Sequence, residues 1–319
     1  MRTSTAPPTT THWGHPHVLD LDTFTLQDIQ QVLETADAMK EVLGRPIRRV
    51  PTLRGKTVAI LFYEHSTRTR ASFELAAKNL SADVVSMATS TSSTVKGESL
   101  VDTVRTLEAM GVDVIVMRHP QSGAPYLAAR HTGCNIINGG DGWHAHPTQA
   151  LLDLYTVRER LGRLEGLRTV IVGDILHSRV ARSNIYGMAT VGMEVTVCGP
   201  PTLLPPTFAE AFPGVRRETE IEAALEGADV VMALRLQRER QESGLLPSIE
   251  EYIARYQITP QRLSLARPGA LVLHPGPVNQ GVELSSEVSY GATSLIENQV
   301  ANGVAVRMAL LYLMLGGEG

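Results

Sequence analysis

Residues 62–74 read Phe-Tyr-Glu-His-Ser-Thr-Arg-Thr-Arg-Ala-Ser-Phe-Glu, and the five at the centre, Ser66-Thr67-Arg68-Thr69-Arg70, have the types and spacing to hold an oxyanion. An apolar run, Thr57-Val58-Ala59-Ile60-Leu61-Phe62, leads into these hydroxyl residues, and a helical pattern starts at once. At such a junction the free backbone N–H groups and the positive end of the helix dipole point outward. Ser and Thr hydroxyls add donors, and Arg68 can supply a bidentate guanidinium. The same five residues would also make an ordinary capped helix with two exposed arginines, so the rest of the chain has to decide.

Two further segments point to the same chemistry. An apolar run at 112–117 ends in Arg118-His119-Pro120. In an open parallel sheet the carboxyl ends of the strands face the ligand crevice, so Arg118 is placed to reach the anion held by Arg68. The glycine-rich turn Asn138-Gly139-Gly140-Asp141-Gly142 follows another apolar run and leads to His146-Pro147-Thr148-Gln149. His146 precedes a predicted helix, with Gln149 three residues on along the same face. A histidine near a helix N-terminus tends to stay neutral and can donate to a developing oxyanion. Taken singly, Arg118 suits a surface salt bridge and His146 a structural role. Their convergence on one crevice is much harder to explain that way.

The elements that must position these residues alternate in period. Strand-like runs fall at 57–62, 83–87, 112–117 and 134–138, and again at 168–172, 193–197, 229–233 and 270–273. Helical periodicity covers 25–43, 69–80, 99–110, 123–131, 147–161, 178–190, 219–226, 248–266 and 294–315, with a Pro-rich loop at 200–206. This alternation predicts two doubly wound α/β domains, each a mainly parallel sheet flanked by helices. Pro147 suits the first turn of a connector helix and Gly162 its end. The C-terminal helix is expected to return to the first domain, which gives 15–148 plus 294–319 as one domain and 149–293 as the other. Residues 1–14, rich in Thr and Pro, read as a disordered tail without the apolar region of a secretory signal.

Composition narrows the partners. The chain has 319 residues, 43% of them hydrophobic and 19% charged, with a net charge of -4. That is an ordinary globular balance, with no basic excess to neutralise nucleic acid or an anionic membrane surface. Any anion site must therefore be local. Its two cysteines, Cys134 and Cys198, are too few for a disulfide framework or a zinc cluster, and a cytoplasmic location is expected.

At these residues the chain resembles the aspartate carbamoyltransferase catalytic chains, within the aspartate/ornithine carbamoyltransferase superfamily, over nearly all of 18–315. The segments that carry the resemblance include Ser66-Thr67-Arg68-Thr69-Arg70, the Met-Arg-His-Pro at 117–120 and His146-Pro147-Thr148-Gln149. Others are Ser92-Ser93-Thr94-Val95-Lys96-Gly97-Glu98, Gly173-Asp174-Ile175-Leu176-His177-Ser178-Arg179, Arg235-Leu236-Gln237-Arg238-Glu239-Arg240 and His274-Pro275-Gly276-Pro277. One departure is Gln280, where many members carry Arg. It puts in doubt that arginine's role and leaves the chemistry alone.

The resemblance implies that the amine of L-aspartate attacks carbamoyl phosphate, giving N-carbamoyl-L-aspartate and phosphate in an early step of pyrimidine synthesis. Ser66, Thr67, Arg68, Thr69 and Arg118 would hold the phosphate, while Thr69, Arg118 and His146 would meet the carbonyl oxygen. Gln149 would position the carbamoyl nitrogen, and the backbone at Gly276 and Pro277 would close over the same nitrogen or over the attacking amine. Arg179, Arg235 and Gln237 would take the two carboxylates of aspartate. Ser92 and Lys96 would be lent by the neighbouring subunit of a homotrimer, and Glu64, with Arg179 and Arg240, would bridge the domains on closure. No metal or cofactor is expected. A regulatory chain or a dihydroorotase remains open as a further partner.

Three rival readings fit less well. Ornithine carbamoyltransferase would need an acidic partner where this chain has Arg235-Leu236-Gln237. A dinucleotide-binding protein would need G-x-G-x-x-G after 170–172, where Ile175 and Ser178 stand instead. An inactive homologue kept as a binding chain would not need every motif residue.

Overall fold

A computed structural model of the chain describes residues 13–88, 98–236, 245 and 248–316. The N-terminal half holds α1 (Leu26–Leu43), β1 (Thr57–Phe62), α2 (Thr67–Asn79), β2 (Asp83–Ala88), α3 (Leu100–Ala109), β3 (Val114–His119), α4 (Ala124–Ala129) and β4 (Asn135–Asp141). The helix α5 (Pro147–Leu161) then leads to β5 (Arg168–Val172), α6 (Arg179–Thr190), β6 (Glu194–Cys198), α7 (Thr207–Ala211), β7 (Arg216–Glu218), α8 (Ile221–Leu225) and β8 (Val230–Ala233). After α9 (Ile249–Tyr256), α10 (Pro260–Leu263), β9 (Leu271–Leu273) and α11 (Ser286–Ser289), α12 (Ile296–Leu315) ends the described chain.

Local chemistry accounts for the helix limits that matter here. Thr25 and Asp28 form a reciprocal capping box at the start of α1. Pro147 opens α5 without losing a hydrogen bond, and Gly162 closes it with φ +73°, which glycine adopts without strain. Ser66 is the N-cap of α2 but makes no side-chain capping bond, so its hydroxyl is not consumed by the helix.

All pairings between named strands are parallel, in two sheets of order β2-β1-β3-β4 and β7-β6-β5-β8-β9. The strand order reverses between β1 and β3 in one sheet and between β5 and β8 in the other. Those reversals open crevices at the carboxyl ends of the strands. Alternate residues of β1 serve opposite faces: Val58, Ile60 and Phe62 enter one core, Ala59 and Leu61 another. Burying a side chain such as Ile60 contributes about 1.5–3 kcal/mol.

The largest core is not confined to one sheet. It joins residues of α1, α2, α5, α6 and α12 with Val116 of β3 and Ile171 of β5. Helix α12 packs against α1, α2 and α5, so the last helix returns to the first half of the chain. Among the described residues no helix is long and apolar enough to cross a membrane.

The structure corrects several expected boundaries. The third strand begins at Val114 rather than 112 and runs to His119, placing Arg118 inside the strand, in register with Phe62. The expected helix at 248–266 is two helices, α9 and α10, with Thr259 capping the second. The short β7, α7 and α11 were not anticipated, because three to five residues carry too little periodicity to register. Residues 1–12 of the expected tail lie outside the described residues, whereas Trp13 packs edge-on against Phe24.

Candidate active site

The two strand-order reversals face each other across a cleft of about 720 Å³. Among the described residues, five arginines (Arg68, Arg118, Arg179, Arg235 and Arg307) line it against one carboxylate, Glu64. The chain as a whole is acidic, so this positive cluster is a local construction. Arginine at such density, with its fixed fork of donors, suits phosphate and carboxylate ligands.

Each element delivers its residue through the fold just described. The α2 N-terminus brings Ser66, Thr67, Arg68 and Thr69 to the cleft, all on its lining. Beside them Arg118 projects from β3, its Nη1 donating to the carbonyl of Gly139 at 3.1 Å. Glu64 joins the halves: its Oε2 lies 3.2 Å from Arg118 Nε and 2.9 Å from Arg179 Nη2. Arg179, the first residue of α6, also donates to the carbonyl of Gly142 at 3.2 Å. Gly140, at φ +114°, allows this crowding, since a Cβ there would lie 3.1 Å from atoms of both Arg118 and Arg179.

His146 is the N-cap of α5 and is buried. Its backbone N–H donates to Ser183 Oγ at 2.9 Å, and that hydroxyl donates to Asp20 at 2.5 Å, tying the α5 N-terminus to α6. Burial first, then the charges of Arg118, Arg179 and Arg307, hold the imidazole pKa well below its ordinary value. His146 is therefore neutral at physiological pH. Gln149 stands one turn on and donates from Nε2 to Asp153 Oδ1 at 2.8 Å.

The opposite wall comes from the loops after β8 and β9. Arg235 follows β8, and burial, then Arg235 itself, lowers the pKa of Arg68, so the two guanidiniums face a common space. Glu283, buried, clamps these loops together: it accepts from Leu236 N at 2.7 Å, Asn279 Nδ2 at 2.6 Å and Asn279 N at 3.0 Å. Gly276, at φ +65°, packs its backbone against Arg68, where a Cβ would lie 2.7 Å from Nη1. Its N–H donates to His274 Nδ1 at 2.8 Å, while burial, then Arg68 and Arg235, pushes His274 down to about 3. With Pro277 beside it, this turn forms part of the lining.

Of the residues expected from sequence, Ser66, Thr67, Arg68, Thr69, Arg118, His146, Gln149, Arg179, Arg235, Gly276, Pro277 and Glu64 all line the one cleft. Ser92, Lys96, Gln237 and Arg240 lie outside the described residues. Arg70 turns instead to an adjoining cleft of about 310 Å³, its Nε 3.9 Å from Glu74 Oε1. Sequence reasoning missed Arg307, Gln299 and His274 on the lining and Asp153 behind it. Arg307 and Asp153 had a signal: each is a lone charge in an apolar helical run, and each is buried. Among the described residues no cluster of His, Cys, Asp and Glu is placed to hold a metal ion.

Fold and site together define a two-domain α/β protein built to hold two anions side by side, the architecture of a transferase for small anionic substrates. The chain belongs to the aspartate/ornithine carbamoyltransferase family. Residues 16–159 match the family's carbamoyl-P binding domain and residues 165–314 its Asp/Orn binding domain. The chain is 58% identical over 309 residues to the aspartate carbamoyltransferase catalytic subunit of Dehalococcoides mccartyi (strain CBDB1), covering 96% of this chain and 93% of that one. To the corresponding subunit of Roseiflexus sp. (strain RS-1) it is 60% identical over 302 residues, covering 94% and 95%. Its structure is similar to the crystal structure of Trypanosoma cruzi aspartate transcarbamoylase in complex with carbamoyl phosphate and aspartate. The TM-score is 0.86 at 30% identity, with 97% of this chain and 99% of that chain covered.

Proposed function

We propose that the cleft transfers the carbamoyl group of carbamoyl phosphate to the amine of L-aspartate. The observation that carries this reading is the arrangement of charge in two groups of arginine: Arg68 and Arg118 at the α2 N-terminus and on β3, and across the cleft Arg179 at the start of α6 and Arg235 in the loop after β8. The first group suits a phosphate. The second, Arg179 and Arg235, suits a dicarboxylate better than a cationic side chain such as that of ornithine.

In the reaction the aspartate nitrogen bonds to the carbonyl carbon and the carbon–oxygen bond to phosphate breaks. Phosphate departs with the bonding electron pair. The nitrogen attacks as a neutral NH2 and gives up one proton as the new bond forms, and an oxygen of the departing phosphate can take it. Ser66, Thr67, Arg68, Thr69 and Arg118 stabilise the charge on the departing group, and Thr69, Arg118 and neutral His146 donate to the developing oxyanion. Holding the two reactants together can contribute about 7–11 kcal/mol through proximity alone.

We assign the domains as 15–148 plus 294–319 for carbamoyl phosphate and 149–293 for aspartate, and the location as cytoplasmic. The active unit on this reading is a homotrimer in which Ser92 and Lys96 of one subunit complete the neighbour's site. Gln237 assists with aspartate and Arg240 with closure. Product formation from carbamoyl phosphate with aspartate, with ornithine and with neither tests the assignment. Carbamoyl-aspartate from the first mixture alone is expected, and turnover with ornithine in place of aspartate would overturn it.

A further inference from the structure

Behind the cleft, three amide side chains converge on one carboxylate. Asp153, on α5, is fully buried. Its Oδ1 accepts from Gln149 Nε2 at 2.8 Å and from Gln299 Nε2 at 2.7 Å, and its Oδ2 accepts from Asn184 Nδ2 at 2.8 Å. Amide orientation is ordinarily ambiguous because N and O look alike, but two of these amides are anchored to backbone groups that have only one role. Gln299 Oε1 accepts from the His274 N–H at 3.0 Å, so its NH2 must face Asp153. Asn184 Nδ2 also donates to the Val180 carbonyl at 3.1 Å, so it too must present its NH2. Both carboxylate oxygens are therefore acceptors, and Asp153 is ionised. Arg307, from α12, is the charged group that faces it, and Gln149, Gln299 and Asn184 carry no charge.

Gln149 has no such backbone anchor. An ionised Asp153 leaves it one choice: NH2 toward the carboxylate and Oε1 toward the cleft that it lines.

We propose that Asp153 is a positioning residue that sets substrate selectivity: by fixing the Gln149 amide, it makes the cleft present a hydrogen-bond acceptor to the NH2 of the carbamoyl group. The inference rests on the proposed carbamoyl transfer and adds to it the origin of discrimination. A methyl group in place of that NH2 leaves the Gln149 oxygen unpaired, and sites built around a substrate hydrogen bond reject analogues that lack it. Freed from Asp153, the Gln149 amide can flip and set its own NH2 against the substrate's.

The test compares carbamoyl phosphate with acetyl phosphate, which differs by NH2 against CH3, as equilibrium ligands of the purified full-length protein. Wild-type turnover with aspartate is measured first, and its absence would refute the carbamoyl-transfer reading rather than this inference. Asp153→Leu removes both acceptors at similar volume. The expected result is that the variant binds carbamoyl phosphate at least about tenfold more weakly while acetyl phosphate binding changes by less than about threefold, since only the former engages the Gln149 oxygen. Equal weakening of both ligands, or unchanged selectivity, overturns the proposal.

If the variant does not fold, the same ratio is measured on the wild type at pH values above and below about 6, the value to which burial raises Asp153. Below it the carboxyl gains a proton and can hold the flipped Gln149 amide, so selectivity for carbamoyl phosphate falls. The ionisation of the phosphate group is common to both ligands and cancels in the ratio. His146 is already neutral above and below that pH, and the arginines are charged throughout. A ratio that stays flat across this range also overturns the proposal.

Discussion

Three arginines press their charge on His146, and the imidazole answers by staying neutral. A neutral ring keeps one N–H with which to donate to an oxyanion, and it adds no further charge to a crowded cleft. His146→Ala is expected to lower kcat by about 10²–10³, with little change in the KM for carbamoyl phosphate, because the lost bond forms mainly in the transition state. Steady-state kinetics would show this. Since the pKa is lowered, acidification through the ordinary histidine range leaves His146 neutral, and that group adds no acid limb to the rate profile. A loss confined to KM would assign His146 to ground-state binding instead. At this scale the sequence was legible where side chains advertise their chemistry, as in Ser66-Thr67-Arg68-Thr69-Arg70 and His146-Pro147-Thr148-Gln149. It was opaque for the work of Asp153, Gln299 and Arg307: the two lone charges stood out, but what they do is done between α5 and α12, across the 146 residues that separate Asp153 from Gln299.

Elements decide where those side chains meet. The turn after β4 must let two guanidiniums pass its backbone, and Gly140 permits this by having no side chain and by adopting φ +114°. Gly140→Ala is expected to displace Arg118 and Arg179, lowering kcat/KM by more than about tenfold and stability by about 1–3 kcal/mol through backbone strain. Activity assays with thermal or denaturant unfolding would read both effects. An active, fully stable variant would mean that the turn relaxes without moving the arginines. The sequence made most elements visible through period and punctuation, including the limits of α5 at Pro147 and Gly162. The third strand shifted because Val112 carries the apolar pattern back across Asp113, whereas pairing with β1 fixes its start at Val114. The interruption between α9 and α10 was hidden because Gln257 and Ile258 fit a helical pattern, while the Ile258 N–H in fact bonds to the carbonyl of Glu283.

At the scale of the whole molecule, two sheets contribute facing crevices and Glu64 ties them through Arg118 and Arg179. If Ser92 and Lys96 complete a neighbour's cleft, the smallest competent unit contains more than one chain. Mixing inactive Lys96→Ala subunits with inactive Arg68→Ala subunits is then expected to restore part of the activity, because some hybrid clefts carry neither lesion. Mixtures that stay inactive after verified subunit exchange would assign Lys96 to its own chain's site. The two-domain plan was legible because alternation of strands and helices is a long-range pattern. The return of α12 to the first half was expected from its place after the last strand, but no local pattern announces that its residues share one core with α6 and β5 of the second half.

That placement of α12 has a bearing on biosynthesis. A chain emerging from the ribosome presents α1, β1 and α2 early, yet the apolar faces of those helices close against residues such as Val306, Met308 and Leu310, which emerge only after both sheets. The N-terminal sheet cannot complete its packing until α12 has emerged, and Arg307 reaches its place in the cleft only in the same step. Folding of the two halves is thus expected to be timed together by a helix made after both sheets, rather than proceeding domain by domain as each leaves the tunnel.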